Sequence, residues 1–278
     1  MKEQKWYTSP GRLAVFIIFC LMAFNVIVPL IWMVSSSLKT NVEFYASPWS
    51  VPAKLMWENY VEAFKFGVGK YFLNSILVTS VTIVLTVIIG AMASYILSRF
   101  QFRGKELVLY LFLGGLTISP EVNLVSLYKL MQSLHLYNSL VGLILLYVSF
   151  KIPFTVILIR SYMLTLPKEV EEAAYIDGCT AWGVFWKIAL PVCRPILASA
   201  ALLAGMDAWN EYMFAAVFIE SNSLKTIPVG LVGLQDTLST NYPVLIAGLT
   251  ISASVMIILF LIFQRQFIRG LSQGSVKG

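Results

Sequence analysis

Apolar runs long enough to cross about 30 Å of hydrocarbon alternate with polar connections along most of the chain. Residues 13–34 form the first run, after a short basic segment at 1–12. The run is longer than the apolar core of a secretory leader and no small-residue cleavage site follows it, so it reads as a span. Residues 35–71 are amphiphilic, broken by Pro48 and Pro52, and carry Trp49, Trp57, Tyr60 and Phe64. That mixture suits an external loop with an interfacial helix around 58–66. The second span, 72–97, is rich in Val, Ile and Thr. The third starts at Leu107 and is interrupted by Ser119, Pro120 and Glu121. A proline and an acid at that depth require protein or a wet cavity beside them. A short loop at 129–138 holds His135, read as structural, and leads to a fourth span at 139–160 containing Lys151 and Pro153. A fifth span at 196–219, a polar loop at 220–243, a sixth span at 244–263 and a basic tail at 264–278 complete the pattern. The expected fold class is all-α, a polytopic membrane protein with six transmembrane helices.

One polar segment, 164–194, stands apart. From Glu169 onward it reads EVEEAAYIDGCTAWGVFWKIALP. Pro167 suits a helix start, and Glu169, Glu171 and Glu172 lie where the helix dipole favours negative charge. Gly178 is a natural stop. Thr180 then caps a second limb, which Pro191 ends. Val170, Ala173 and Ala174 share a face of the first limb, and Trp182, Phe185, Trp186 and Ala189 share one on the second. The expectation is a helix–turn–helix hairpin with small residues on one limb and aromatics on the other, suited to docking. A hairpin lying on the bilayer surface is the alternative, but surface helices are rich in Lys and Arg, and this segment is acidic.

Composition narrows the class. Mean hydropathy is +0.79, with 58% hydrophobic and 12% charged residues, which excludes an ordinary soluble domain. The net charge of +6 reflects topology rather than affinity for nucleic acid. With a cytoplasmic N-terminus, the inside segments hold Lys2, Lys5 and Arg12; Arg99, Arg103 and Lys105; Arg160, Lys168, Lys187 and Arg194; and Arg265, Arg269 and Lys277. The short outside loops hold Lys225, with Lys129 at a membrane edge; the long first loop, with Lys39, Lys54, Lys65 and Lys70, weighs less. This asymmetry places both termini and the hairpin in the cytoplasm. Cys20, Cys179 and Cys193 form no CxxC pair, so neither a metal site nor a disulfide framework is suggested. No P-loop and no nucleophile–base set is visible, so the chain reads as no enzyme.

The hairpin resembles a known family. Glu172-Ala173-Ala174, three residues, Gly178, nine residues, then Ile188, Leu190 and Pro191 matches without a gap the EAA loop of the membrane subunits of ABC importers. Shorter motifs extend the likeness to the carbohydrate branch, the maltose-type permeases. They are Glu58-Asn59-Tyr60, Arg99-Phe100 with Phe102 and Gly104, Trp209-Asn210-Glu211-Tyr212, and the tail from Gln264-Arg265 to Val276-Lys277-Gly278. Cys179 and Ser275 stand where the family more often has Ala. The resemblance implies a type I importer permease fold, with a permease core at 72–263 and the hairpin as a coupling helix. It implies a bacterial cytoplasmic membrane location and a sugar as cargo. Implied partners are a second homologous permease, two ATP-binding subunits that hold ATP and magnesium, an extracellular solute-binding protein and the bilayer. The chain itself would hold no cofactor. Glu169, Glu172, Ala173, Ala174, Asp177, Gly178, Trp182, Leu190 and Pro191 would form the ATPase-coupling element, with Glu172 the anchoring charge.

Asp207, Asn210 and Glu211 fall at i, i+3 and i+4 of the fifth span, so they share one face. Carboxylates within a membrane default to function, and Trp209 or Tyr212 would offer an aromatic platform for a sugar. Counting along the helices puts Lys151 and Asp207 at similar depth, as candidates for a buried ion pair. Trp209, Asn210, Glu211 and Tyr212 are read as translocation pathway or subunit contact. A permease for an amino acid or phosphate is the runner-up; a stand-alone transporter would call for inverted repeats or a gating charge series, which the chain lacks.

Overall fold

The computed structural model describes residues 10–237 and 241–275, and side chains within 11–233 and 241–264 except Arg12. The charges expected at Lys2, Lys5 and Lys277, and the side chains of Arg12, Arg265 and Arg269, lie outside that description, as do Val276 and Gly278 of the C-terminal motif. Among the described residues all regular structure is helical. The helices are α1 (Pro10–Ser37), α2 (Asn41–Ala46), α3 (Glu58–Ala63), α4 (Gly69–Arg99), α5 (Lys105–Thr117), α6 (Leu124–Ser133) and α7 (Leu140–Met163). There follow α8 (Glu169–Ile176), α9 (Ala181–Val184), α10 (Leu190–Val192), α11 (Arg194–Asn210), α12 (Met213–Phe218), α13 (Ile227–Thr237) and α14 (Tyr242–Ser275).

Four helical stretches are long and apolar enough to cross a membrane: Leu13–Ser37, Glu58–Arg99, Leu140–Met163 and Tyr242–Gln264. Two bent pairs raise the number to six if each is one span: Lys105–Thr117 with Pro120–Ser133, bent by 88°, and Ala181–Val192 with Arg194–Asn210, bent by 78°. The chain divides into two compact units, one of residues up to Val68 with Gly233–Ser252, the other of Gly69–Val232 with the residues from Ala253 onward.

In the first unit, α1 exposes Phe16, Phe19 and Phe24, as a lipid-facing helix does. Lys39, read as a loop charge, is fully buried: its ammonium donates to the carbonyls of Ser47 (2.9 Å) and Pro48 (2.8 Å). Asn59 donates to the carbonyls of Ser37 and Lys39, each at 2.8 Å. The segment between α1 and α4, expected as an external loop, is therefore a folded element. After α3 a π-helical turn, Phe64–Val68, carries Gly67 at φ 109°, where the chain kinks.

The second unit is built on α4, which packs against α7 and α11. Ser75, Thr79, Thr82, Thr86, Gly90 and Ser94 line its buried side. Lipid tails are as apolar as Leu, so helix association in a bilayer relies on small residues and polar contacts. A Cβ at Gly90 would lie 2.6 Å from Thr155 of α7, and one at Gly205 of α11 would lie 2.8 Å from Ile83. Ser94 adds a bond from its hydroxyl to the Val156 carbonyl at 2.9 Å.

Three sequence expectations need correction. The loop at 129–138 begins as helix, since α6 runs to Ser133. The polar loop at 220–243 contains α13, which is seated by side-chain bonds invisible to hydropathy. The Ile227 amide donates to Ser75 Oγ at 2.8 Å, and Asn74 Nδ2 donates to the carbonyls of Ser223 and Lys225, each at 2.9 Å. The fifth span is not continuous: α11 stops at Asn210 and Glu211 is extended, with φ −67° and ψ 128°.

Candidate functional site in the hairpin and the polar cavity

The hairpin forms through local bonds. Helix α8 starts with Glu169, Glu171 and Glu172 in its first turn and ends in a Schellman motif. The Cys179 amide donates to the Ala174 carbonyl at 2.9 Å and the Gly178 amide to the Tyr175 carbonyl at 3.1 Å, with Gly178 at φ 82°. That conformation favours glycine. Thr180 then caps α9, its hydroxyl accepting from the Gly183 amide at 3.2 Å. Pro191 does not end the second limb. A π-helical turn, Phe185–Ala189, precedes it, and the Leu190 amide bonds back to the Phe185 carbonyl. The limb runs on through α10, which takes Pro191 in its first turn, where a missing N–H costs nothing. The chain bends instead at Cys193.

Each limb has an inner and an outer side. Ala174, Val184, Phe185 and Ala189 are buried in a cluster with Tyr95, Ile159, Met163 and Cys193. Glu169, Val170, Glu172, Ala173, Ile176, Asp177 and Trp182 are exposed. So Ala173 and Ala174 point to different sides, and the aromatic face divides: Phe185 packs inward while Trp182 and Trp186 stay outside. Leu190 and Pro191 are half-buried. The outer surface combines two carboxylates of the first turn with small and apolar residues.

Glu171 was missed. Unlike its neighbours it is buried, and its Oε1 accepts from Arg99 Nε (2.9 Å) and lies 2.8 Å from Nη2 in an ion pair, with both side chains at most 10% exposed. Arg99, the last residue of α4, was read as one of a basic cluster setting topology. One turn away, the Tyr95 and Tyr175 hydroxyls lie 3.2 Å apart. No local spacing announces these pairs; the opposite charges of Arg99 and Glu171 were the sole signal.

Deeper in the same unit, Pro120, Glu121, Tyr147, Lys151, Asp207 and Glu211 are among the residues lining a cavity of about 250 Å³. The break at Ser119–Glu121 therefore opens onto a polar space, as its sequence required. Lys151 Nζ lies 2.5 Å from Asp207 Oδ2, but the side chains are 34% and 52% exposed. The predicted pair exists; it lines the cavity and is not buried. Glu211 leaves the helical path and does two structural jobs. It accepts from the Tyr147 hydroxyl at 2.5 Å, and from the amides of Phe214 (2.6 Å) and Ala215 (3.1 Å), which satisfies orphan donors at the start of α12. Asn210 bonds back to the Met206 carbonyl at 2.8 Å. Trp209 is 2% exposed and meets Phe72 edge-on at 5.9 Å, while Tyr212 is 45% exposed. Although the helix breaks at Glu211, Asp207 and Glu211 still line the same cavity, and Asn210 is not among its lining residues.

Known proteins fit this geometry. The family model described as "Binding-protein-dependent transport system inner membrane component" matches residues 84–273. The chain is 50% identical over 276 residues to a probable ABC transporter permease, YurM, of Bacillus subtilis, covering 99% of this chain and 91% of the relative. It is 34% identical over 255 residues to the diacetylchitobiose uptake system permease NgcG of Streptomyces coelicolor, covering 91% of this chain and 84% of the relative. Its fold matches, with a TM-score of 0.80 at 21% identity, a chain of a bacterial ABC transporter involved in alginate import, over 95% of this chain and 100% of the other. With the gapless hairpin motif and the broken, cavity-lining spans, these matches place the chain in the family of binding-protein-dependent transport system inner membrane components, the permease subunits of ABC importers.

Proposed function

We propose that the chain is one membrane subunit of an importer that carries a sugar, an oligosaccharide or a related carbohydrate across the cytoplasmic membrane. ATP is hydrolysed in partner subunits. The observation that carries this reading is the hairpin, a rigidly capped element whose outer surface presents Glu172 and Ala173. A docking peg needs small residues for close approach and a charge to fix its register. An ATPase dimer that closes on ATP would carry the peg with it and move the spans attached to it. Two ATP-binding subunits holding ATP and magnesium, a second homologous permease and an extracellular binding protein complete the assembly. The carbohydrate class is supported by the relative named for diacetylchitobiose uptake, aligned over nine-tenths of this chain.

The cavity suits such a cargo by its chemistry. Carboxylates, an ammonium and a phenol offer both donors and acceptors to hydroxyl groups, beside the ring of Phe150.

In this arrangement both termini and the hairpin are cytoplasmic, as the placement of Lys and Arg requires. Single-cysteine labelling in a background without Cys20, Cys179 and Cys193 tests it. Val232→Cys, at a side chain 49% exposed, labels from outside intact cells and Glu172→Cys does not; the opposite pattern overturns the topology. Uptake of radiolabelled oligosaccharides into vesicles holding the full complex tests the cargo. Import of an amino acid or phosphate in their place refutes the carbohydrate assignment.

A further inference from the structure

Two contacts join α8 to the end of α4, and their order is informative. Tyr95 meets Tyr175 and Arg99 meets Glu171, so partners four apart on one helix pair antiparallel with partners four apart on the other. At 1.5 Å per residue the two rungs stand about 6 Å apart along each helix. A single contact lets helices pivot about it; two rungs fix their mutual rotation as well. The Arg99–Glu171 rung is charge-assisted and nearly water-free, the stronger kind of hydrogen bond.

The covalent connections of the hairpin are less direct. Residues 164–168, between α7 and α8, do not continue either helix, and the other end bends by 78° at Cys193. We propose that the two-rung ladder makes α8 and the end of α4 one rigid body, and that hairpin motion enters the membrane core through α4. Arg99, Glu171, Tyr95 and Tyr175 are then positioning residues for transport. The inference rests on the importer reading above and assigns the route of coupling within it. From α4 the motion has contacts onward: Gly90 and Ser94 against α7, and Ile83 against Gly205 of α11. Those two helices carry Lys151 and Asp207, so displacement of α4 reaches the cavity walls through packed groups.

The test uses the whole complex, reconstituted in vesicles with its ATPase subunits and binding protein. Glu171→Gln with Tyr175→Phe weakens both rungs at nearly constant volume. The expected result is unchanged co-purification of the ATPase and about a tenfold fall in sugar imported per ATP hydrolysed. A ratio equal to wild type overturns the proposal even where thermal stability drops, because packing alone would then explain the contacts. In a cysteine-free background, Arg99→Cys with Glu171→Cys is joined by a bis-methanethiosulfonate reagent of matching span. Joined complexes import at the wild-type ratio if the two helices move together. Import blocked by the crosslink and restored by reductant shows that α8 swings against α4 and overturns the proposal. The crosslink decides alone if the double substitution fails to assemble. A wild-type complex that hydrolyses ATP but imports no carbohydrate is a different result, which refutes the cargo assignment and leaves the ladder to be judged on the transported solute.

Discussion

Lys151 of α7 and Asp207 of α11 meet at 2.5 Å while Asp207 keeps 52% of its side chain exposed, so the ion pair that joins these helices also faces the cavity. Breaking a fully buried pair costs about 3–5 kcal/mol. Here solvent in the cavity screens the charges, and the expected coupling is about 1 kcal/mol or less. Thermal unfolding of wild type, Lys151→Met, Asp207→Leu and the double variant in detergent gives the coupling directly. A value above about 3 kcal/mol would show that the pair is sealed from water in the assembled protein.

Gly178 separates backbone strain from crowding. An added Cβ meets nothing within 4 Å, yet φ is 82°. Gly178→Ala should therefore destabilise by about 1–2 kcal/mol through the left-handed conformation alone. Gly178→Asn should cost less, because Asn tolerates that region, and Gly178→Val more. Melting temperatures and uptake are expected to fall in the order Asn, Ala, Val; equal effects from Asn and Val would show that φ is not the constraint.

Glu172→Lys reverses an exposed charge on the outer surface of α8. Membrane insertion and melting temperature should hold. Affinity for the ATPase subunits should fall by an amount corresponding to about 2 kcal/mol or more, the usual loss when an interfacial charge is left unpaired. Titration of purified ATPase onto permease in nanodiscs measures it. Full ATPase affinity and normal uptake in this variant would remove the hairpin from the coupling role.

Glu211 and Tyr147 share one hydrogen bond, and Glu211 also takes two amides of the next turn. Glu211→Ala is expected to destabilise by about 1–2 kcal/mol, as loss of a helix cap does. Tyr147→Phe is expected to cost about 1 kcal/mol. Because the bond is common to both, the double variant should lose less than the sum. Strict additivity in thermal unfolding would deny the bond.

What the chain encodes locally was legible. The start of α8, the stop at Gly178 and the cap at Thr180 each depend on residues within a few positions, so reading the sequence yields them. The apolar runs and the break at Pro120 are equally local, since a bilayer demands continuous hydrocarbon or an enclosed polar space. Spacing along an assumed helix was where reading failed. Glu211 lies outside α11, with its carboxylate held by the Tyr147 hydroxyl and the α12 amides, yet it still reaches the cavity that Asp207 lines. Pro191 similarly signals a stop, yet a π-helical turn just before it lets the limb continue.

By itself the sequence determined the class of the protein, its motif and the sites of its turns, because each follows from short-range sterics or from the solvent around a run of residues. Only the tertiary structure decided which carboxylate faces inward. Glu171, not Glu172, is drawn into the core, because the end of α4 brings Arg99 beside it from 72 positions away. Partners so far apart leave no periodic trace, and whether a charge is buried depends on what the fold places opposite it.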